Sequence, residues 1–221
     1  MLSSEREDAR AIQFTLAELQ AAVEIAHDNH KHCAAHAHAL RGIENAVEAG
    51  CDSVEHGTFA DEAVLRRMAE KGTYLVPTNC AFTSLLRDNR MVESMPPHLR
   101  QRMTANQEIH AKAMRAAHKA GVRFAMGTDT GTPGNHHGRN TDECVTMVKE
   151  IGMSASEAIH ASTINPARLL RQEHNLGSLD AGKYADVIAC RANPLDDIEE
   201  LTRVALVMKG GAVYRNELRA S

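Results

Sequence analysis

Stretches with apolar residues at helical spacing alternate with short, mostly apolar segments along most of the chain. The helical spacing predicts helices over residues 14–29, 39–50, 61–72, 100–121, 141–152 and 154–162, and one more starting at Asn165. The short segments at 31–37, 52–57, 73–78 and 122–129 are predicted to be β-strands. One helix followed by repeated βα units is typical of a parallel sheet, so we predict an α/β fold.

Several of these helices carry start or stop signals of their own. Thr15 and Glu18 form a capping-box pattern at the start of the first helix. Asp61 lies near the start of the third helix, and Gly50 and Gly72 follow the ends of the second and third. These signals support the helix bounds independently of the apolar spacing.

The pattern changes character in two places. Residues 79–99 contain many polar residues and are predicted to form a surface loop or lid. The tail is predicted to contain short strands, with a hairpin at Lys209-Gly210-Gly211. We therefore predict a domain boundary near residue 171, with a βα domain over 1–171 and a small β appendage over 172–221.

The composition fits a globular protein whose core contains few aromatic side chains. The chain has 221 residues, of which 43% are hydrophobic but only 3% aromatic, so Ala, Val, Leu, Ile and Met must build the core. Ten Met can fill irregular gaps in such a core. The length suits one good-sized domain, or one domain with an appendage.

Charge and hydropathy exclude two classes of partner. The net charge is -4 and both signs are interspersed, whereas a nucleic-acid binder normally shows a clustered Lys/Arg surface. No apolar run is long enough to cross a bilayer, and the polar start of the chain, residues 1–10, is unlike a signal peptide. We expect neither a nucleic-acid partner nor a membrane partner.

The cysteines indicate the redox compartment. There are five, an odd number, and they are widely spaced without any CxxC pair. Reduced, mostly buried thiols explain this pattern better than disulfides or a thiolate zinc site. We therefore predict a cytoplasmic protein.

The candidate chemistry lies at the ends of the predicted strands. His36 and His38 end the first strand, His56 ends the second and Asp129 ends the fourth. In a parallel βα array the carboxyl ends of the strands lie on one face, where barrel enzymes assemble their active sites. A single such His is more often structural, but its recurrence on successive units favours a metal site. Imidazole and carboxylate ligands suit Zn²⁺, which activates water.

The same residues carry a resemblance to a known family. The chain resembles the carboxyl-terminal half of the amidohydrolase superfamily, in its imidazolonepropionase-like and Xaa-Pro dipeptidase-like branch. The segments that carry the resemblance are AAHAHALRGIENAVEAGCDSVEHGTF, FAMGTDTG, HHGRNTDE, SASEAIHASTINPARLL and GSLDAGKYADVI. It implies the C-terminal half of a TIM (β/α)8 barrel, here four βα units, with a small β appendage.

The resemblance also implies roles for individual residues. His36, His56 and Asp129 match metal ligands of the family, and Asp129 matches its catalytic base as well. His38 matches a neighbouring position that faces the substrate. His137 resembles part of a substrate loop, although a plain polar loop explains His136 and His137 equally well. His32, more than about 12 Å from His36 along an extended strand, is too far away to share an ion.

The implied activity is hydrolysis of C–N bonds in dipeptides or N-acyl amino acids, with one or two zinc ions as cofactor. The family's first-strand His-x-His pair and fourth-strand Lys have no counterpart in this chain. We therefore expect the missing amino-terminal half barrel, or a homo-oligomer, as a partner. The alternative is a catalytically incomplete half barrel that acts only as a binding or oligomerising module. The histidines on helices, including His110, are predicted to be structural or solvated.

Overall fold

The structure is a computed structural model and describes residues 11–87 and 89–218. Residues 1–10, whose polar sequence is unlike a signal peptide, lie outside the described residues. The helices are α1 (Leu16–Asp28), α2 (Leu40–Ala49), α3 (Glu62–Lys71), α4 (Asn79–Arg87), α5 (Asn89–Ser94), α6 (Pro97–Lys119), α7 (Asp142–Thr146), a π-helical turn (Met147–Ile151), α8 (Ala155–Ser162), α9 (Ile164–Leu169) and a 3-10 helix (Ile198–Arg203). The strands are β1 (Ala34–Ala37), β2 (Ser53–His56), β3 (Tyr74–Val76), β4 (Arg123–Phe124), β5 (Val187–Ala189), β6 (Leu206–Lys209) and β7 (Ala212–Asn216).

The first four strands form one parallel sheet in the order β1-β2-β3-β4. Ala34 pairs with Ser53, and Ser53 pairs with Tyr74, so neighbouring strands begin at the same level. Helices α2 and α3 and the segment α4–α6 connect consecutive strands. The predicted parallel βα order is confirmed, and the carboxyl ends of the strands share one edge.

The start and stop signals of the helices act as predicted. Glu18 accepts a hydrogen bond from the Thr15 amide at 2.8 Å, which completes the capping box of α1. The Asp61 carboxylate accepts a hydrogen bond from the Val64 amide at the start of α3. Gly50 ends α2 with a φ of 90°, a conformation that side chains rarely adopt.

Most of the described residues between 79 and 99 lie in α4, α5 and the start of α6, so the predicted surface loop is wrong. Helix α4 begins against the carboxylate of Glu143 in α7, which is fully buried. One carboxylate oxygen accepts from the amide and the side-chain amide of Asn79 at 2.8 and 2.9 Å, and the other accepts from the Cys80 amide at 2.8 Å. The orphan amide groups of the first turn are thus satisfied by a residue 63 or 64 positions away, which local composition does not reveal.

Strand β4 is much shorter than the predicted span 122–129. The Ala125 amide still donates to the Leu75 carbonyl of β3, but the next amide, that of Met126, donates to the Ala161 carbonyl of α8. The chain therefore leaves β3 just after β4 ends. The segment that leads to Asp129 therefore lies against α8.

The last three strands form a separate antiparallel sheet in the order β5-β6-β7. The predicted hairpin is present, with Gly210 and Gly211 at φ values of 56° and 81° between β6 and β7. Ile198 and Leu201 of the 3-10 helix nevertheless pack into the same core as the βα helices. The boundary at residue 171 stays a prediction.

The core is aliphatic and rich in sulfur, as the composition predicts. Its largest fully buried apolar side chains are Ile43, Leu65, Met68, Leu75, Met114 and Met147. Flexible thioether side chains fill the space between helices and sheet where few aromatic rings are available. Among the helices in the described part of the chain, none has the length and hydropathy to cross a bilayer.

Candidate metal centre

Three histidines meet where β1 and β2 end. His36 lies in β1, His38 follows that strand directly, and His56 is the last residue of β2. Because the two strands are parallel neighbours, their carboxyl ends bring these side chains to the same edge of the sheet. Two of the three predicted metal ligands and one predicted substrate-binding residue are thus close together.

The distances within the cluster suit a single small cation. The Nδ1 atom of His36 lies 2.9 Å from the Nε2 atom of His56, and one ligand atom from each of the three histidines lies within 4.8 Å of the other two. His38 and His56 stack with ring centroids 4.5 Å apart. Within residues 11–87 and 89–218, this is the one group of three or more His, Cys, Asp or Glu residues that could hold an ion.

His56 reaches the cluster because its backbone departs from the strand conformation. In the register of the sheet His56 pairs with Ala37, whose side chain is on the face opposite that of His36. A φ of 71° at His56 turns its side chain toward His36 instead. Thr78 and Asp129, which follow β3 and β4, also have positive φ values of 51°. Such conformations cost about 1–3 kcal/mol each and cluster at functional sites.

A hydrogen bond to Thr78, which follows β3, determines which nitrogen of His56 carries the lone pair. The Nδ1 atom of His56 lies 2.6 Å from the hydroxyl oxygen of Thr78, and that hydroxyl donates its own hydrogen to the Pro77 carbonyl. The Thr78 oxygen can therefore only accept, so Nδ1 of His56 carries the hydrogen. The lone pair is then on Nε2, the atom that faces His36, as for a metal ligand oriented by a second partner.

Behind the cluster lies a fourth histidine, His110 in α6. The Thr58 hydroxyl lies 2.9 Å from Nδ1 of His38 and 3.3 Å from Nδ1 of His110, and thus links the two rings. The His110 ring stacks on Phe82 with centroids 4.0 Å apart and is fully buried. His110 was predicted to be structural or solvated, and that prediction did not include its link to His38 through Thr58. The buried residues His110, Ala113, Met114 and Ala117 have helical spacing, and this apolar stripe was the signal that His110 faces inward.

The buried imidazoles are neutral at physiological pH. Burial, together with the neighbouring imidazoles, lowers the pKa of His38 to about 3 and that of His56 to about 4. Burial also lowers the pKa of His110 to about 3. Neutral imidazole is the form that binds a metal ion, so no proton has to be displaced near neutral pH.

Asp129 and His137 do not belong to the close cluster. Asp129 is exposed, and its backbone carbonyl accepts hydrogen bonds from the side chains of Thr132 and Asn135. His137 is exposed in the loop before α7. The metal and catalytic roles of Asp129 and the substrate role of His137 stay predictions. His32 precedes β1 and is outside the cluster, as predicted.

The chain has clear relatives among known proteins. The model of the amidohydrolase family matches residues 1–213. Ochratoxinase of Aspergillus niger is 39% identical over 207 residues, which are 92% of this chain and 42% of the ochratoxinase. Imidazolonepropionase of Geobacillus thermodenitrificans is 28% identical over 80% of this chain and 37% of its own length.

Solved structures show the same partial coverage. A Xaa-Pro dipeptidase with methionine bound in its active site superposes with a TM-score of 0.83 and 40% identity. The match covers 92% of this chain but 50% of the dipeptidase chain. The chain thus spans about half the length of the relatives it matches, or less. These similarities confirm the resemblance, its branch, and the half of a (β/α)8 barrel with a small carboxyl-terminal sheet.

Proposed function

The chain belongs to the amidohydrolase family, and from this premise we propose that it forms part of a metal-dependent hydrolase of C–N bonds in small substrates. The observation that carries the proposal is the group of His36, His38 and His56, whose ligand atoms lie within 4.8 Å of one another. Their position at the carboxyl ends of parallel strands is where barrel enzymes bind substrate.

The donor set fits a divalent zinc ion. Imidazole nitrogen is a preferred zinc ligand, and Nε2 of His56 is left free by the hydrogen bond to Thr78. His36 and His56 are the proposed ligands from this chain, with Asp129, which follows β4, as a further proposed ligand. A bound zinc ion supplies a Lewis acid that polarises a carbonyl group and lowers the pKa of a water molecule.

The remaining steps fall to side chains of this chain. Asp129 would accept the proton of the attacking water and deliver it to the leaving amine nitrogen. Its exposure leaves the carboxylate open to a substrate. His38, with Nδ1 engaged by Thr58, would direct Nε2 toward the substrate carbonyl oxygen. His137 is the proposed substrate contact from the loop before α7.

Dipeptides and N-acyl amino acids are the proposed substrates. The support is the likeness to a Xaa-Pro dipeptidase whose active site holds methionine, an amino acid of the size such a reaction releases. The cytoplasm is the proposed compartment, because five cysteines without a CxxC pair suit a reducing environment.

The proposed site is completed by residues outside this chain, either from a missing amino-terminal half barrel or from a second copy. Exposed apolar side chains on the carboxyl-terminal segment support such a partner. Leu179 is 83% exposed, Tyr214 74% and Tyr184 61%. Apolar surface of this kind is typical of regions that another part of a protein covers.

Metal binding and hydrolysis can be tested on the purified full chain. We expect near-stoichiometric zinc by elemental analysis. If a second copy of the chain completes the site, we also expect zinc-dependent release of amino acid from a panel of Xaa-Pro dipeptides and N-acyl amino acids. Asp129→Asn is expected to retain zinc, because the imidazole ligands remain, and to lose hydrolysis, because an amide cannot accept the proton. Asp28→Asn, an exposed change in α1, serves as the matched control and should retain both properties.

The alternative is a half barrel that only binds or oligomerises. Its specific support is that the chain covers 50% of the dipeptidase and 42% of the ochratoxinase. Absence of both zinc and hydrolysis would contradict a hydrolase formed by this chain or by copies of it alone. A self-associated but inactive chain in analytical ultracentrifugation would favour the alternative.

A further inference from the structure

Two cysteine thiols lie side by side at the end of the sheet opposite the histidines. Cys33 immediately precedes β1 and Cys51 lies two residues before β2. Their sulfur atoms are 3.9 Å apart, which is van der Waals contact. Both residues lie in segments between a helix and a strand.

The backbone around the two thiols holds them together. The Asp52 amide donates to the Cys33 carbonyl at 2.8 Å, and the Cys33 amide donates to the Asp52 carboxylate at 2.8 Å. The Cys51 amide donates to the Ala46 carbonyl at the end of α2. These bonds fix the two backbones, so the remaining freedom is rotation of the two short side chains.

The two thiols differ in access. Cys33 is half-buried, whereas Cys51 is 2% exposed. Burial, and the neighbouring Cys33 thiol, raise the pKa of Cys51 well above its usual range. Cys33 is therefore the thiol that is accessible to a reagent, and the buried Cys51 is the neighbouring thiol that can react with it in a second step.

Cationic side chains line a cavity next to Cys51, although Lys71 is paired with Glu48 and Arg171 with Asp52. Cys51 borders a cavity of about 200 Å³ that is also lined by Lys71, Arg168 and Arg171, with Asp52 as its one carboxylate. In the described part of the chain no third ligand atom joins the two sulfurs closely enough for a metal site. The arrangement is thus a dithiol beside a cationic cavity.

We propose that Cys33 and Cys51 form a reversible redox site whose oxidant is a small anionic disulfide of the glutathione type. The Cys33 thiolate attacks one sulfur of the oxidant, forms a mixed disulfide and releases one thiol. Cys51 then gives up its proton and attacks the Cys33 sulfur, which forms the Cys33–Cys51 bond and releases the second thiol. Two protein thiols are oxidised, the small disulfide is reduced to two thiols, and the protein's two protons end on them.

Thiol counting tests the site on the unaltered chain. The reduced protein is incubated under native conditions with glutathione disulfide, quenched with acid and labelled with a maleimide after unfolding. We expect two of the five thiols to be lost in a monomeric product, and reduced glutathione to restore them. Trypsin should release the peptide His32–Arg41 joined to the peptide Gly42–Arg66, each with one cysteine. Retention of all thiols, or a bond that involves any other cysteine, would overturn the proposal.

Three single variants separate the steps. Cys51→Ser should stop at a stable mixed disulfide on Cys33, because the second thiol is missing. Cys33→Ser should leave Cys51 reduced, because burial shields it. Cys190→Ser, which removes another half-buried thiol, is the matched control and should form the cross-link at the unaltered rate. Cross-linking at an undiminished yield in either of the first two variants would contradict the assignment.

The charge of the oxidant gives an independent measurement. The rate at which the folded chain is oxidised is measured with anionic glutathione disulfide and with cationic cystamine. Each rate is divided by the rate at which the same reagent oxidises the chain unfolded in urea, which corrects for the reagents' own reactivity. We expect the ratio for glutathione disulfide to exceed that for cystamine by several-fold at low salt and to fall toward it as salt rises. A ratio that favours cystamine would overturn the anionic oxidant.

Discussion

The Nε2 atom of His56 lies 2.9 Å from the Nδ1 atom of His36, although the register of β1 and β2 places the two residues on opposite faces of the sheet. The φ of 71° at His56 is the reason that they meet. The backbone therefore holds a strained conformation at the point where it brings the two imidazole rings together.

Zinc affinity should depend on both of these imidazoles. We expect His36→Ala and His56→Ala each to weaken zinc binding by more than about tenfold, since losing even an outer partner of a ligand typically costs 10–100-fold. The affinity is measured by competition with a chromophoric chelator at pH 7.5. His174→Ala, an exposed histidine far along the chain, is the control and should bind zinc as the unaltered chain does. Equal affinity in all variants would rule out this site.

Thr78 should tune zinc affinity without touching the ion. Thr78→Val removes the oxygen that accepts the hydrogen on Nδ1 of His56 and keeps the shape of the side chain. The orientation and tautomer of His56 are then no longer fixed, so we expect affinity to fall by about 10-fold. Thr78→Ser keeps the hydroxyl and should bind nearly as well. If the Ser variant loses as much affinity as the Val variant, the hydrogen bond is not the cause.

Thr58 should contribute to stability through the two histidines it joins. Thr58→Val leaves Nδ1 of His38 and of His110 without their partner in a buried site, so we expect the free energy of unfolding to fall by about 1–3 kcal/mol. Thr58→Ser keeps the hydroxyl and loses one buried methyl group, which costs about 1 kcal/mol. Urea unfolding of the metal-free chain measures both. A Val variant as stable as the unaltered chain would contradict this link.

Glu143 should make stability depend on pH near neutrality. Burial raises the pKa of Glu143 from 4.5 to about 7, so the folded state binds the proton more tightly than the unfolded state. The stability due to this proton is complete below about pH 4.5 and is lost as the pH rises through about 7, with a slope of at most about 1.4 kcal/mol per pH unit.

Glu143→Gln isolates this effect. The amide cannot titrate and places hydrogens against the Asn79 and Cys80 donors, so the variant should be less stable at pH 5. The stability gap to the unaltered chain should narrow between pH 5 and pH 8 in urea titrations. The histidines with lowered pKa values titrate in both proteins and cancel in this difference. A gap that stays constant or widens would show that the carboxyl group titrates normally.

Much of the fold is determined by local sequence. The order of helices and parallel strands, the capping box at Thr15 and the glycine hairpin at Gly210-Gly211 all depend on residues close in the chain. The helix α4 is the exception, because its first turn is satisfied by Glu143 from another helix. Polar residues that make such distant contacts look like a solvated loop in the sequence.

For the candidate site too, local sequence determines one part and contacts between distant residues determine the other. The sequence by itself determined that His36, His38 and His56 lie at strand ends, since parallel strands align their carboxyl ends wherever apolar strands and amphipathic helices alternate. Only the tertiary structure decided which side chains meet. The turn of His56 toward His36, the Thr58 bridge to His110 and the contact of Cys33 with Cys51 each join segments that are 18 to 52 residues apart. Such contacts depend on backbone angles and packing, which no local pattern of residues specifies.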